Sequence, residues 1–180
     1  MSIQFTSENA LENFICEDSD EFELFLQDEF SRFNLIGVQF IGRQIYLGNF
    51  ILDVLYYCDV EQDDKIVRYY IVVELKNVMA KAKDLCQLSR YTGILKDCFK
   101  KNEFFKDSDV DILKVKGYLV APEFDQDLID LSSSNHLTEE IEIVQFVPQV
   151  TFLKQSYAWT DEFIKDINFD EGVFEIKEEE

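Results

Sequence analysis

Two acids stand where acids are out of place. Asp53 lies inside GNFILDVLYY and Glu74 closes YYIVVELK, each within an apolar, strand-like run. A carboxylate in such a run is costly to bury unless it is paired or metal-bound. Lys76 follows two residues after Glu74, so on a strand the two side chains share a face, and Leu75 between them offers its backbone carbonyl. Two carboxylates and a carbonyl are oxygen ligands of the kind magnesium takes, because it keeps several waters and needs only one or two protein carboxylates. A neighbouring lysine can orient a water or neutralise charge developing on a phosphate. The set suits metal-assisted hydrolysis of a phosphodiester, with manganese as a substitute for magnesium.

The elements around these residues can place them together. Runs rich in β-branched and aromatic residues predict strands at about 35–40, 44–47, 50–57 and 66–74. Glu61-Gln62-Asp63-Asp64 is a polar turn that makes the last two a hairpin, carrying Asp53 and Glu74 on neighbouring strands. Ahead of them, residues 6–30 read as helical, with Thr6 or Ser7 as cap and a break near Asp18-Ser19-Asp20. After them, Ala82, Leu85, Leu88, Leu95 and Phe99 mark one stripe of a helix over 80–101. Strands are expected at 115–121 and 141–146, and a helix at about 123–131 with Pro122 in its first turn. Ser132-Ser133-Ser134-Asn135 reads as a loop. The fold class is α/β, a mixed central sheet flanked by helices.

Glu-x-Lys alone is a weak signal, and the chain holds a second copy, Glu175-Ile176-Lys177. That copy has no matching upstream acid on a hairpin and no room for a helix after it. Only Glu74 has the whole context.

Asp53 followed by Glu74-x-Lys76 resembles the signature of the PD-(D/E)XK phosphodiesterase superfamily. Ser7-Glu8-Asn9-Ala10-Leu11, Gly42-Arg43-Gln44, the Gly48 to Asp53 strand, Gln87-x-x-Arg90-Tyr91 and Tyr118 to Glu123 are similar to the branch containing the NucS-type endonucleases. The match runs over about 7–146, with Ile51-Leu52 where the signature has its proline. It implies a restriction-endonuclease-like αβββαβ core with a one- or two-magnesium site. By the same resemblance Asp53, Glu74, Lys76, Gln87 and Glu8 are the catalytic set. Asp53, Glu74, the Leu75 carbonyl and Glu8 would hold the metal, and Gln87 would hold a water or a neighbouring ligand. Glu12 lies one helical turn after Glu8, so their roles can be exchanged. Arg90, Tyr91, Lys81 and Lys83 are candidate substrate contacts. Arg43 can bind a phosphate or pair with one of the many acids.

Charge bears on partners. The net charge of −20 opposes nucleic acid at long range. Yet residues 76–106 carry eight basic and three acidic residues, +5 against −25 for the rest. They are either a substrate-facing surface or a solvated helix face. The reading is a magnesium-dependent nuclease acting on nucleic acid, DNA before RNA. The alternative is a catalytically silent nuclease-fold binder or accessory subunit whose acidic surface engages a protein partner or mimics nucleic acid. A homodimer is compatible with either.

One domain over 1–180 is expected, with a core at 7–146 and an extension at 147–180. No secretory signal or membrane span is visible, and Cys16, Cys58, Cys86 and Cys98 read as reduced core thiols of a cytoplasmic protein. His136, in the serine-rich loop, reads as exposed.

Overall fold

The computed structural model describes residues 5–18, 20–100, 109–133, 140–147 and 151–154. Helix α1 (Glu8–Asn13) passes through a π-helical turn (Phe14–Asp18) into α2 (Glu21–Glu29). Strands β1 (Asn34–Leu47), β2 (Phe50–Gln62) and β3 (Lys65–Leu75) follow, then α3 (Ala82–Lys100), β4 (Ile112–Ala121), α4 (Gln126–Ser133), β5 (Ile141–Val147) and β6 (Thr151–Lys154). The sheet order is β1-β2-β3-β4-β5-β6. Pairing is antiparallel from β1 to β3, parallel from β3 to β5, and antiparallel again for β6. The αβββαβ order expected from the sequence is therefore the order of the elements, with a further helix and two strands after it.

Local chemistry explains the boundaries. Ser7 caps α1 by accepting from the Ala10 N–H at 3.1 Å. Asp63 and Asp64 sit at φ 52° and 59°, a left-handed pair that closes β2 onto β3 with Gln62 opposite Lys65. At the start of α3 the Lys81 N–H bonds to the Asp84 carboxylate at 2.8 Å, one half of a capping box.

Apolar residues line both faces of the sheet. Leu11, Ile15, Phe22 and Leu26 from the N-terminal helices pack on Tyr56, Ile71 and Tyr118. Leu85, Leu88 and Leu95 of α3 and Leu128 of α4 pack on Tyr70, Val72 and Leu119 across the sheet. Strand alternation puts Glu74 on the α3 side with Tyr70 and Val72. Gly117 lets α3 come this close: a Cβ there would stand 3.0 Å from both Leu88 and Thr92 methyl carbons.

Several sequence expectations are corrected. Residues 35–40 and 44–47 are one strand, β1, whose irregularities between Leu35/Gly37 and Phe40/Gly42 absorb the extra residues. The turn after β2 is Asp63-Asp64 alone, since Glu61 and Gln62 still pair with β3. Pro122 does not enter a helix. Ala80 bridges Phe124, with bonds from the Ala80 N–H to the Glu123 carbonyl (2.8 Å) and from the Asp125 N–H to the Ala80 carbonyl (3.0 Å), so this stretch stays extended. Helix α4 starts after Asp125, whose side chain accepts from the Leu128 N–H at 2.9 Å. Ser132 and Ser133 belong to the end of α4 rather than a loop. Cys86 is exposed, and only Cys58 is a fully buried thiol. Ser134, Asn135, His136, Lys101, Glu103 and Lys106 fall outside the described residues, as do Tyr157 and Trp159. No helix among the described residues is long and apolar enough to cross a membrane.

Candidate active site

The β2–β3 hairpin brings the two acids to one end of the sheet. The Asp53 carboxylate accepts from the Leu75 N–H at 2.9 Å, a backbone bond that fixes it beside the end of β3. Glu74 is 0% exposed. Its Oε1 accepts from Lys76 Nζ at 2.9 Å and from Gln87 Nε2 at 2.7 Å, so groups from a loop and from α3 converge on one oxygen. Its Oε2 is buried and has no hydrogen-bond partner among the described residues. Gln87 also donates to the hydroxyl of Tyr91 at 2.9 Å, one turn further along α3.

The Lys76 ammonium occupies the middle of the site. It bonds the Leu75 carbonyl at 3.0 Å and pairs with Glu8 Oε1 at 3.3 Å, in addition to Glu74. Three of the four groups assigned to a metal from the sequence thus converge on this one cation. The ammonium stands in for a positive ion among oxygen donors. Main-chain bonding holds the lysine in place, since the Lys76 N–H bonds to the Val120 carbonyl at 2.9 Å.

Electrostatics follow from this burial. Burial first, and the charge of Asp53 second, push the Glu74 carboxyl up to about 7, against the pull of Lys76. Burial likewise raises Asp53, opposed by the Leu75 N–H and by Lys76. For Lys76 burial acts downward, but Glu74, Glu8 and Asp53 outweigh it and hold the ammonium above its usual range. Burial and then Glu74 also raise the Tyr91 hydroxyl.

A groove of about 540 Å³ opens beside Gln87, lined by Phe50, Lys83, Cys86, Arg90 and Tyr91. The Arg90 guanidinium lies 5.9 Å from the centre of the Phe50 ring, and Tyr91 meets that ring edge-on. Lys83, Arg90 and Tyr91, singled out from the sequence, therefore gather in one place with Gln87. Phe50 was not foreseen. Its only signal was an aromatic residue directly after the Gly48-Asn49 turn.

Other candidates lie elsewhere. Arg43 bonds Asn13 at 2.5 Å and pairs with Glu17 at 2.7 Å and with Glu12 at 3.7 Å, the second of its two sequence readings. Glu12 is buried on Gln44, whereas Glu8 reaches Lys76. Lys81 is exposed outside the groove. Among the described residues no three Asp, Glu, His or Cys side chains form a metal-holding cluster. A metal held at Asp53 and Glu74 would need the Leu75 carbonyl and water as further ligands.

No family model matches the chain, and no curated protein matches it. Solved structures similar to it include an EndoMS–dsDNA2 complex, with 22% identity over 69% of this chain and 43% of that chain at a TM-score of 0.40. A repair endonuclease from Pyrococcus abyssi has 26% identity over 73% and 48% at a TM-score of 0.40. EndoMS in its apo form has 22% identity over 71% and 47% at a TM-score of 0.31. The chain spans less than half the length of each.

Proposed function

We propose that this protein is a magnesium-dependent nuclease, with manganese as a substitute ion, hydrolysing phosphodiester bonds in nucleic acid, DNA before RNA. The observation that carries this reading is Glu74: wholly buried, held through one oxygen by Lys76 and Gln87, and with its other oxygen unpartnered among the described residues. A buried carboxylate oxygen without a partner is expensive unless something binds it. A divalent ion suits it, because Asp53 and the Leu75 carbonyl lie alongside and two carboxylates are enough for magnesium.

In this reading Asp53, Glu74 and the Leu75 carbonyl hold the ion, and Glu8 completes the acidic surround from α1. When bound, the ion neutralises phosphate charge and lowers the pKa of its water. The protein's own residues supply the rest. Gln87 fixes the carboxylate plane of Glu74. Lys76, cationic and anchored through its backbone, turns its ammonium from the acids toward a phosphate oxygen or the attacking water. The groove along α3 offers Lys83 and Arg90 to the backbone of the strand.

The test is an electrophoretic cleavage assay on single- and double-stranded DNA and RNA with magnesium or manganese. Cleavage by the native chain that is lost in Asp53→Ala is the expected result. Nucleic acid bound but never cut under any condition would favour the silent binder.

A further inference from the structure

A buried ammonium lies toward the other end of the sheet from the acids of the site. The Lys116 side chain is 8% exposed and forms part of the floor of a second cavity, of about 560 Å³, where the end of α2 meets β4 and β5. Its ammonium lies 3.0 Å from Glu142 and 3.6 Å from Glu29, and both carboxylates are themselves largely buried. An ammonium has three N–H groups, and the longer of these separations is outside hydrogen-bond range. The floor therefore presents donors and acceptors side by side. With two carboxylates against one ammonium, it also repels an anion.

The rim has the opposite character. Arg32 and Lys114 are exposed there, and among the described residues each is placed by a ring rather than by an acid. The Arg32 guanidinium lies 4.9 Å from the centre of the Phe33 ring, and the Lys114 ammonium donates to the Tyr69 hydroxyl at 3.0 Å. Glu140, which also lines the cavity, is engaged by Lys96 of α3. Phe33 and Tyr69 stack with centroids 6.2 Å and planes 22° apart, and Phe30 meets Tyr69 edge-on at 5.0 Å. Aromatic walls thus join a hydrogen-bonding floor to a cationic rim.

We propose that this cavity binds a nucleoside monophosphate, with the base edge on Glu29, Lys116 and Glu142 and the phosphate at Arg32 and Lys114. The edge of a base carries both donors and acceptors, and its face stacks on rings such as Phe33 and Tyr69. A phosphate suits an arginine and a lysine that no acid has neutralised. The acidic floor sets the orientation, since it turns the phosphate toward the rim. The volume falls within the roughly 300–1,000 Å³ of small-ligand sites. This site is separate from the proposed catalytic one. Tyr69 and Leu75 are six residues apart on β3, roughly 20 Å. Lys116 and Tyr69 are on the α2 face of the sheet, whereas Glu74 meets Gln87 of α3 on the other.

Calorimetric titration of the full chain, without metal, with AMP, GMP, CMP and UMP tests the site. At least one should bind, and the floor should separate the best from the worst roughly tenfold or more. Arg32→Ala and Lys114→Ala should each weaken the best about tenfold, the scale of one hydrogen bond to a charged group. Both side chains are exposed, so neither substitution opens the core. The matching nucleoside and inorganic phosphate should each bind more weakly than the nucleotide. Lys83→Ala/Arg90→Ala should bind it as the native chain does. Binding of none of the four overturns the proposal, as does native affinity in both rim variants. Loss of binding in Lys83→Ala/Arg90→Ala alone moves the nucleotide to the α3 groove and overturns it too. Phosphate bound as tightly as the nucleotide, or four equal affinities, would leave the floor and rings without a role and reduce the site to a bare anion contact. No cleavage is read, so this result and that of the nuclease assay are independent.

Discussion

Gln87 on α3 and Glu74 at the end of β3 are joined by a 2.7 Å hydrogen bond, with Tyr91 bonded to the same amide nitrogen at 2.9 Å. The helix thus decides which oxygen of the carboxylate stays unpartnered. Gln87→Ala should leave the fold intact and free Glu74 to rotate. Manganese affinity, read by calorimetry, is expected to fall roughly tenfold, within the range typical of groups that orient metal ligands. Unchanged affinity would reduce Gln87 to a structural contact.

Lys76→Ala removes the cation that three oxygen groups share. Turnover should fall about a hundredfold or more, the usual scale for lost charge stabilisation in a transition state. Manganese binding should persist, because the acids remain. A variant that cuts at close to the native rate excludes Lys76 from the chemistry.

Asp53→Ala should abolish measurable manganese binding in the same titration, since Glu74 is left as the sole protein carboxylate fixed at the position. The Leu75 N–H loses its partner as well, so a modest fall in melting temperature is expected. Native-like binding by this variant would remove Asp53 from the metal site.

Glu74 makes the stability of the metal-free protein depend on pH. Its carboxyl is raised from 4.5 to about 7 by folding, so the native state holds this proton more tightly than the unfolded chain does. The sign follows: the stabilisation is complete below about pH 4.5 and is lost as pH rises through about 7. At about 1.4 kcal/mol per unit this is on the order of 3 kcal/mol, shared with Asp53, whose charge contributes to the shift. Melting temperatures of native protein and Glu74→Gln across this range should diverge steadily, with the variant the more stable at pH 8. Saturating manganese should flatten the native curve. Parallel curves would show that Glu74 does not titrate in this window.

Lys83→Glu and Arg90→Glu should each lower the salt slope of nucleic-acid binding by about one, one phosphate contact apiece. Lys100→Glu should not, because that lysine is exposed and pairs with Asp97 at 3.3 Å on a different part of the helix. An equal effect at all three positions would mean that only overall charge is felt.

What could be read from the sequence was local. Asp53 and Glu74 betray themselves as acids inside apolar runs, and the two-residue offset of Lys76 fixes its face. The stripe from Leu85 to Leu95 gave α3 by periodicity. The missed features depend on residues distant in the chain. Pro122 stays extended because Ala80 pairs beside it, a contact no helix signal records. Arg43 could not be decided until α1 was seen to bring Glu12, Asn13 and Glu17 within its reach. Phe50 resembled any other strand aromatic, and only the packing of α3 against its turn made it the wall of a groove. Strand β6 has four residues, too few for an alternation to stand out.

The Asp63-Asp64 turn lies at the far end of the hairpin from the site, about ten residues, or roughly 33 Å, from Asp53 along the strand. It nevertheless governs the alignment there. Each residue of a strand faces opposite to the next, so a slip of one place in the pairing would send Asp53 and Glu74 to opposite sides of the sheet. A residue added to one strand between the acids and the turn must therefore be matched in the other strand, or taken up by the turn or a bulge. Related chains that keep this site should preserve the pairing of the two acids across the hairpin, even where every other residue of it has been replaced.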